Sequence, residues 1–115
     1  MIPLICPADR EKLAAASFTR DFIDTNVSYF VGLETTEDEP CTFLTGDRSL
    51  AANGQRLRPG LFAMSTNSVL TWTSDLHRDR GNIGLADASV HLRDQAGLLK
   101  AVRESELANN RLAIP

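Results

Sequence analysis

The segment from residue 82 to residue 93 constrains the fold most, because two short alternating runs flank a turn signal. Residues 82–86 and 89–93 alternate apolar with polar or small residues, and Asp87-Ala88 lies between them. Alternation of this kind is typical of a half-buried β-strand, so the segment predicts a β-hairpin with a two-residue turn. In that register four apolar side chains share a buried face, with Leu85 opposite Val90 and Ile83 opposite Leu92.

Ala88 conflicts with the tightest form of this turn. A type I′ turn needs positive φ at both central positions, and glycine is the usual second residue. Alanine there costs about 1 kcal/mol, or it shifts the turn to another type.

A helix is predicted directly after the hairpin, with Asp94 as its N-cap and its end near Ser105. Apolar residues recur at helical spacing along it, which predicts a packed side formed by Leu98, Leu99, Val102 and Leu107. Asn109-Asn110 ends the helix and leaves residues 111–115 as a short tail.

The remaining elements are predicted to be short. Asp9 is positioned to cap a short N-terminal helix over residues 10–17. Strands are predicted at residues 27–33, 41–45, 61–64 and 69–73, with an exposed loop over residues 48–60 and Trp72 in the core. Because the strands precede the last helix without βαβ alternation, the fold class is α+β with an antiparallel sheet, in a single domain over residues 1–115.

Composition excludes several function classes. The net charge is −3 and the pI about 5.3, which gives no electrostatic case for nucleic acid or for an anionic membrane. No apolar run approaches the roughly 20 residues of a transmembrane helix, and the first five residues lack the basic region of a secretory signal. The sequence as given therefore predicts a soluble chain without a targeting signal and without membrane contact of its own.

The chain has two cysteines, Cys6 and Cys41, and neither belongs to a CxxC or His/Cys cluster. The sequence therefore predicts no zinc site. A disulfide between them is expected in an oxidising compartment and two unpaired thiols in a reducing one, and the sequence leaves both alternatives open.

Nine residues separate His77 from Asp87, and the piece GNIGLADASVHL follows the histidine closely. This piece resembles the GNxxxADGSV ending of bacterial prepilin-type proteins that carry an H-X9-DG region, which are abundant in Verrucomicrobia and Planctomycetes. LICPAD resembles the Cys-Pro-Ser/Ala-Asp element of those proteins, and NVSYFVGLE and TGDRSL resemble strands of their heads. The chain departs from the pattern at Ala88, where the family has glycine.

The resemblance implies a fold like the globular head of a type II secretion pseudopilin, without its membrane-anchoring helix. Members of this family are anchored by an N-terminal apolar helix that a prepilin peptidase processes. The helix packs into a filament at the inner membrane, and the head faces the periplasm. The expected partners are other pseudopilin or secretion-system subunits, and the expected location is the periplasmic face of the inner membrane if the native protein carries that helix.

Catalysis is not expected from the residues that carry chemistry. His77 and Asp87 form an acid–base pair in principle, but ten residues of extended chain separate them by roughly 30 Å. The structural interpretation is that His77 opens the hairpin and Asp87 forms its turn by bonding nearby backbone N–H groups. No GxSxG, GxxxxGK[ST] or GxGxxG motif occurs, so the chain is predicted not to be an enzyme.

The acidic loop before residue 40 is the weak candidate for a cofactor. Its oxygen-rich side chains suit calcium, although they lack the alternating pattern of a recognised calcium loop: Glu34, Glu37, Asp38 and Glu39. A solvated run of charge is the default expectation, so no cofactor is predicted and calcium is kept as an alternative.

These observations lead to two functional hypotheses, a structural subunit and a binding module. The first is a structural subunit, a pseudopilin-like head that acts through protein–protein contacts in a filament. The alternative is a soluble periplasmic binding module with the same fold, which an exposed apolar groove beside the hairpin would favour.

Overall fold

A computed structural model of the chain describes residues 4–15, 22–105 and 107–115. Its strands are β1 (Tyr29–Gly32), β2 (Phe43–Asp47), β3 (Leu50–Ala52), β4 (Gln55–Arg56), β5 (Gly60–Met64), β6 (Leu70–Trp72), β7 (Gly81–Leu85), β8 (Val90–Arg93) and β9 (Asn110–Ile114). The α-helix α1 spans Gln95–Glu104, and a short 3₁₀ helix spans Asp24–Asn26.

The strands form two antiparallel sheets. The large sheet has six strands in the order β5-β9-β1-β2-β7-β8, and the small sheet has three in the order β4-β3-β6. The last strand in the sequence, β9, lies inside the large sheet between β5 and β1. Chain neighbours therefore pair in the β7–β8 and β3–β4 hairpins, while β9 pairs with β5 and β1, which are far from it in sequence.

One hydrophobic core lies between the large sheet on one side and α1 with the small sheet on the other. Trp72 is 2% exposed within it, as the sequence predicts. The buried cluster draws on both sheets and the helix: Phe30, Phe43, Leu50, Met64, Leu70, Trp72, Ile83, Leu98, Val102, Leu112 and Ile114. Its members from the large sheet share the inner face of that sheet.

The α+β class predicted from the sequence is wrong. Most of the regular structure in the described residues is antiparallel sheet, and the single α-helix there has ten residues. The hairpin and the helix after it do form, and Asp94 caps that helix by accepting from the Gly97 N–H at 2.8 Å. The prediction underestimated how much of the chain forms β-strands. With nine strands and one short α-helix among the described residues, this is a mainly β domain.

The predicted short N-terminal helix does not form over residues 10–15, and residues 16–17 lie outside the described part of the chain. The predicted cap, Asp9, instead binds the guanidinium of Arg48 through both carboxylate oxygens, at 2.6 and 2.5 Å. The Leu13 N–H donates to Thr25 O at 2.8 Å rather than to a helical partner. Long-range pairing has therefore replaced the local hydrogen bonds that a helix needs.

Two segments predicted as irregular are strands. The expected loop over residues 48–60 contains β3 and β4, joined by a turn at Asn53-Gly54, and Leu50 is fully buried. The expected tail over residues 111–115 belongs to β9, in which Leu112 and Ile114 enter the core. The β3–β4 pair was missed although Asn53-Gly54 is a hairpin-type turn, because both strands are very short. The partners of β9 are distant in sequence, so no local pattern identifies that strand.

The hairpin forms with a register one residue away from the prediction. Asn82 opposes Leu92 and Gly84 opposes Val90, and residues 86–88 make a three-residue loop. A shift of one residue moves side chains to the opposite face. Ile83 is buried as predicted, whereas Val90 and Leu92 are exposed rather than inward.

Candidate functional site

The outer face of the large sheet, which points away from the core, carries an uncharged row of side chains that crosses all six strands. The residues of this row are direct cross-strand partners, in the order Leu61, Ala113, Val31, Thr45, Gly84 and Val90. Partners in a ladder point to the same face, so these six side chains lie side by side. We call this set the apolar row.

Three of the six residues in the apolar row are exposed, while Ala113 and Thr45 are half-buried and Gly84 is buried. Leu61, Val31 and Val90 are 63%, 47% and 71% exposed. The hydroxyl of Thr45 donates to Phe30 O at 2.7 Å, so it is satisfied within the sheet. Six strands about 4.8 Å apart make the row roughly 24 Å long. An exposed apolar band of this extent is typical of an interaction surface.

A cluster of three ligand-type side chains lies on the same face. Cys6 comes from the N-terminal segment, Asp47 ends β2, and His77 lies in the loop between β6 and β7. His77 Nε2 is 3.3 Å from Cys6 Sγ and 3.5 Å from Asp47 Oδ2. Among the described residues this is the one group of three or more that could hold a metal ion.

Asp47 is positioned by the neighbouring strand. Its Oδ2 accepts from the backbone N–H of Asn82 at 2.7 Å and from Asn82 Nδ2 at 3.3 Å. The side chain is 2% exposed, so these contacts replace water for a buried carboxylate. Asp47 is therefore held in place from β7, independently of His77.

The N-terminal segment brings Cys6 to the sheet. Leu4 O accepts from the Ser28 N–H at 2.9 Å, and Asp9 forms its bidentate pair with Arg48. Nearby, burial raises the pKa of Tyr29, and the carboxylates of Asp47 and Asp9 act in the same direction. The cluster therefore borders a desolvated, electronegative part of the outer face.

The cluster differs from a Cys–His–Asp catalytic triad. In a triad, the imidazole uses one ring nitrogen for the nucleophile and the other for the carboxylate. Here the same atom, His77 Nε2, faces both Cys6 and Asp47. The three groups converge on one point, where a cation could contact all of them, but Asp47 does not bond the second ring nitrogen and so does not orient the imidazole as in a triad.

A cavity of about 550 Å³ opens beside the cluster. It joins the cluster to the apolar row, because its lining includes Thr45, Gly84 and Val90 as well as Cys6 and His77. A second cleft of about 490 Å³ lies between the hairpin and α1, where Arg80, Arg93 and Lys100 surround an apolar floor.

His77 and Asp87 lie at opposite ends of β7, as the sequence predicts. Asp87 Oδ1 accepts from the Ser89 N–H at 2.9 Å and from Ser89 Oγ at 2.5 Å, which is the local turn bonding expected of it. These hydrogen bonds lower the pKa of Asp87. Ala88 adopts φ 69°, the left-handed conformation that glycine prefers.

The acidic loop does not converge on a common point in the described structure. Glu34 is bound to Arg111, with 2.5 Å between Oε1 and Nε. Glu37, Asp38 and Glu39 occupy exposed or half-buried turn positions and belong to no metal-holding group. Calcium binding there stays a prediction.

Cys6 and Cys41 are both free thiols in the structure, the first buried and the second exposed. Cys6 lies beside Asp47 at the end of β2, whereas Cys41 precedes the start of that strand. The strand alone spans roughly 13 Å, well beyond the separation that a disulfide bridges.

Sequence reasoning named Cys6 and His77 but did not bring them together, and it missed Asp47. Gaps of tens of residues separate the three, so no spacing of the CxxC kind marks them. The only available signal was that Cys6, Asp47 and His77 each belong to a piece that resembles the prepilin-type pattern.

Fold and site together define a mainly β domain with an uncovered, apolar sheet face and a buried Cys–Asp–His cluster at its edge. Comparison of the chain with protein-family models, curated proteins and solved structures finds no match. No helix within residues 4–15, 22–105 and 107–115 is long and apolar enough to cross a membrane.

Proposed function

We propose that this chain is the head domain of a pseudopilin-like structural subunit, whose outer sheet face binds an apolar α-helix. The proposed occupant is an apolar helix encoded upstream of Ile2, as the resemblance implies. The observation that carries the proposal is the apolar row, an uncharged band across six strands that a helix about 10 Å wide would cover.

The path of the N-terminal segment supports this occupant. Leu4 is hydrogen-bonded to Ser28 just before β1, and Cys6 and Pro7 line the cavity that reaches Val90. The chain therefore enters the domain at the rim of the outer face. A helix directly upstream would reach the apolar row without a long linker.

Charge and side-chain size also favour a helix over a polar partner. None of the six side chains in the apolar row is charged, and Ala113 in its interior is small, whereas Gly84 is buried with the Thr45 methyl group 2.9 Å from where a Cβ would lie. Burial of Leu61, Val31 and Val90 against such a helix would each contribute roughly 1–3 kcal/mol.

The resemblance supplies the biological setting of the proposal. In a filament of the type II secretion kind, the upstream helix anchors the subunit at the inner membrane and the head lies in the periplasm. The partners are then other pseudopilin or secretion-system subunits. The resemblance rests on the sequence pieces around Cys6, Asp47 and His77, and the mainly β fold replaces the α+β head that it first implied.

Photo-crosslinking of the chain, expressed with its native upstream sequence, tests the proposal. A photoreactive phenylalanine analogue replaces Val31 in the apolar row or, as the matched control, Val69, which is 52% exposed in the turn before β6. We expect Val31 to crosslink to a peptide upstream of residue 4, in the same copy or a neighbouring one, and Val69 not to do so.

Three outcomes contradict the proposal. The first is a native reading frame without an apolar helix upstream of Ile2. The second is a Val31 position that gives no crosslink, and the third is crosslinking from Val31 only to a protein that is not a pseudopilin or secretion-system subunit. The last two would favour the alternative of a soluble binding module, for which the cleft between the hairpin and α1 is the candidate ligand site.

A further inference from the structure

We propose that Cys6, Asp47 and His77 bind a Zn²⁺ ion. A thiolate, an imidazole and a carboxylate are the ligand types that zinc takes from proteins. Their ligand atoms lie within 4.8 Å of one another, although the residues come from three separate parts of the chain. The site does not depend on the proposed upstream helix.

The distances fit a tetrahedral ion. With Zn–S near 2.3 Å and Zn–N or Zn–O near 2.0–2.2 Å, ligand atoms at tetrahedral angles lie roughly 3.4–3.6 Å apart. Cys6 Sγ and His77 Nε2 are 3.3 Å apart, and His77 Nε2 and Asp47 Oδ2 are 3.5 Å apart. The third pair, Cys6 Sγ and the Asp47 carboxylate oxygen, lies within 4.8 Å, so side-chain adjustment would bring the three atoms to tetrahedral angles around one ion.

Hydrogen bonding engages only part of the cluster at a time. His77 Nε2 carries one proton or one lone pair, so it makes one strong hydrogen bond, with either Cys6 or Asp47, and Asp47 Oδ2 is also bound by Asn82. Both neighbours are buried, since Cys6 is 4% exposed and Asp47 1% exposed. A divalent cation bonds to all three atoms and balances a buried thiolate and a buried carboxylate.

Asn82 orients Asp47 by donating hydrogen bonds to its carboxylate, as residues behind metal ligands commonly do. Its backbone N–H, 2.7 Å from Asp47 Oδ2, occupies one lone pair of that oxygen and fixes the carboxylate. Asn82 Nδ2 also donates to this oxygen, at 3.3 Å, and the ion would replace this longer contact. Because the remaining donor is a backbone group of β7, the ligand is held by the sheet itself.

The fourth position would face the cavity beside the cluster, where the His77 side chain is 31% exposed. Three protein ligands and one water complete a tetrahedron there. The ion would fasten the N-terminal segment and the loop after β6 to the end of β2. Because only the folded chain assembles these ligands, zinc would raise its melting temperature.

Metal titration of four single variants tests the site. Protein stripped with a chelator is titrated with Zn²⁺ against a chromophoric competitor, and with Co²⁺ to detect thiolate charge-transfer absorption. Cys6→Ser and His77→Gln remove ligands, while Cys41→Ser and His91→Gln are matched controls that change the same residue types outside the cluster.

We expect one Zn²⁺ per chain for the wild type and for both controls, with a thiolate band in the Co²⁺ form. Each ligand variant should weaken binding by more than the roughly 10–100-fold that loss of an outer-shell partner costs. Absence of stoichiometric binding by the wild type overturns the proposal, and so does unchanged affinity in Cys6→Ser.

The Cys41→Ser variant keeps the test decisive if a ligand variant fails to fold. It contains Cys6 as its single cysteine. A Co²⁺–thiolate band in that folded protein assigns the sulfur ligand to Cys6, whereas its absence from Cys41→Ser excludes Cys6 as a ligand.

Discussion

The Asp9–Arg48 ion pair attaches the N-terminal segment of the chain to the large sheet, just after β2. Arg48 is 8% exposed, and its guanidinium is bonded to both oxygens of a buried carboxylate. Glu11 Oε2 adds a contact to Arg48 at 3.1 Å and one to Arg56 at 2.7 Å. The pair holds the segment that carries Cys6 against the sheet, so the cluster depends on it indirectly.

Stability is expected to depend on pH through Asp9. Burial opposes its ionisation, but hydrogen bonds from Arg48 and the charge of that residue outweigh burial and lower the pKa of Asp9 from 3.8. Because the folded pKa is the lower one, the contribution of Asp9 is complete above about pH 5. It is lost as the pH falls below about 3.8, through the folded pKa.

Asp9→Asn should lower the free energy of unfolding at pH 7 by about 3 kcal/mol, because it leaves Arg48 buried with only Glu11 beside it. It should also flatten the loss of stability in acid. Urea unfolding between pH 7 and pH 3 measures both effects, with Asp38→Asn in the exposed loop as the control. A variant with the acid dependence of the wild type would show that Asp9 does not carry it.

In the β7–β8 hairpin, the sequence predicts the strands, the turn and the helix cap, but it does not predict the register of the strands. Local signals predicted both strands, the Asp87 turn bond and the Asp94 cap, because each depends on residues a few positions apart. The register was wrong because apolar Val90 and Leu92 were assumed to face the core. Alternation marks two faces of a strand, but it does not say which of them is covered, and here both carry apolar side chains.

The turn conformation gives a prediction for this element. Ala88 N donates to Leu85 O at 3.0 Å, and Ala88 lies at the left-handed third position of the loop. Ala88→Gly should raise the free energy of unfolding by roughly 0.5–1 kcal/mol, because glycine adopts positive φ without a Cβ clash.

Urea unfolding of Ala88→Gly and of a control, Ala86→Gly, measures this effect. Ala86 has no positive φ, so glycine there should leave stability unchanged or lower it through the added freedom of the unfolded chain. Equal changes in the two variants would mean that Ala88 carries no conformational cost.

At the scale of the whole molecule, what the sequence could not supply is pairing between distant segments. Residues 110–114 are short and follow a helix stop, so they resemble a tail, yet they pair with β5 and β1. The Cys–Asp–His cluster was missed for the same reason, since its members meet only after β2, β7 and the N-terminal segment have assembled. Both the position of β9 and the assembly of the cluster depend on packing of the large sheet against the shared core.

The inner position of β9 predicts unequal effects for two leucines that are close neighbours in the sheet. Leu112 lies on the inner face and is fully buried, whereas Leu61, opposite Ala113 on the adjacent strand, lies in the apolar row and is 63% exposed. Leu112→Ala should cost about 2–5 kcal/mol, because it leaves a cavity in the shared core, and Leu61→Ala should cost no more than about 0.5 kcal/mol.

Urea unfolding followed by the fluorescence of Trp72, the single tryptophan of the chain, measures both leucine variants. If residues 111–115 were a tail, Leu112→Ala would be as mild as Leu61→Ala, and that result would overturn the topology. Trp72 lies in the small sheet, away from β9, and its signal should nevertheless report the Leu112 change, because both sheets share one core. A large loss from Leu112 with little from Leu61 would also support the proposed function, since it would show that the apolar row is not required for the isolated head to fold.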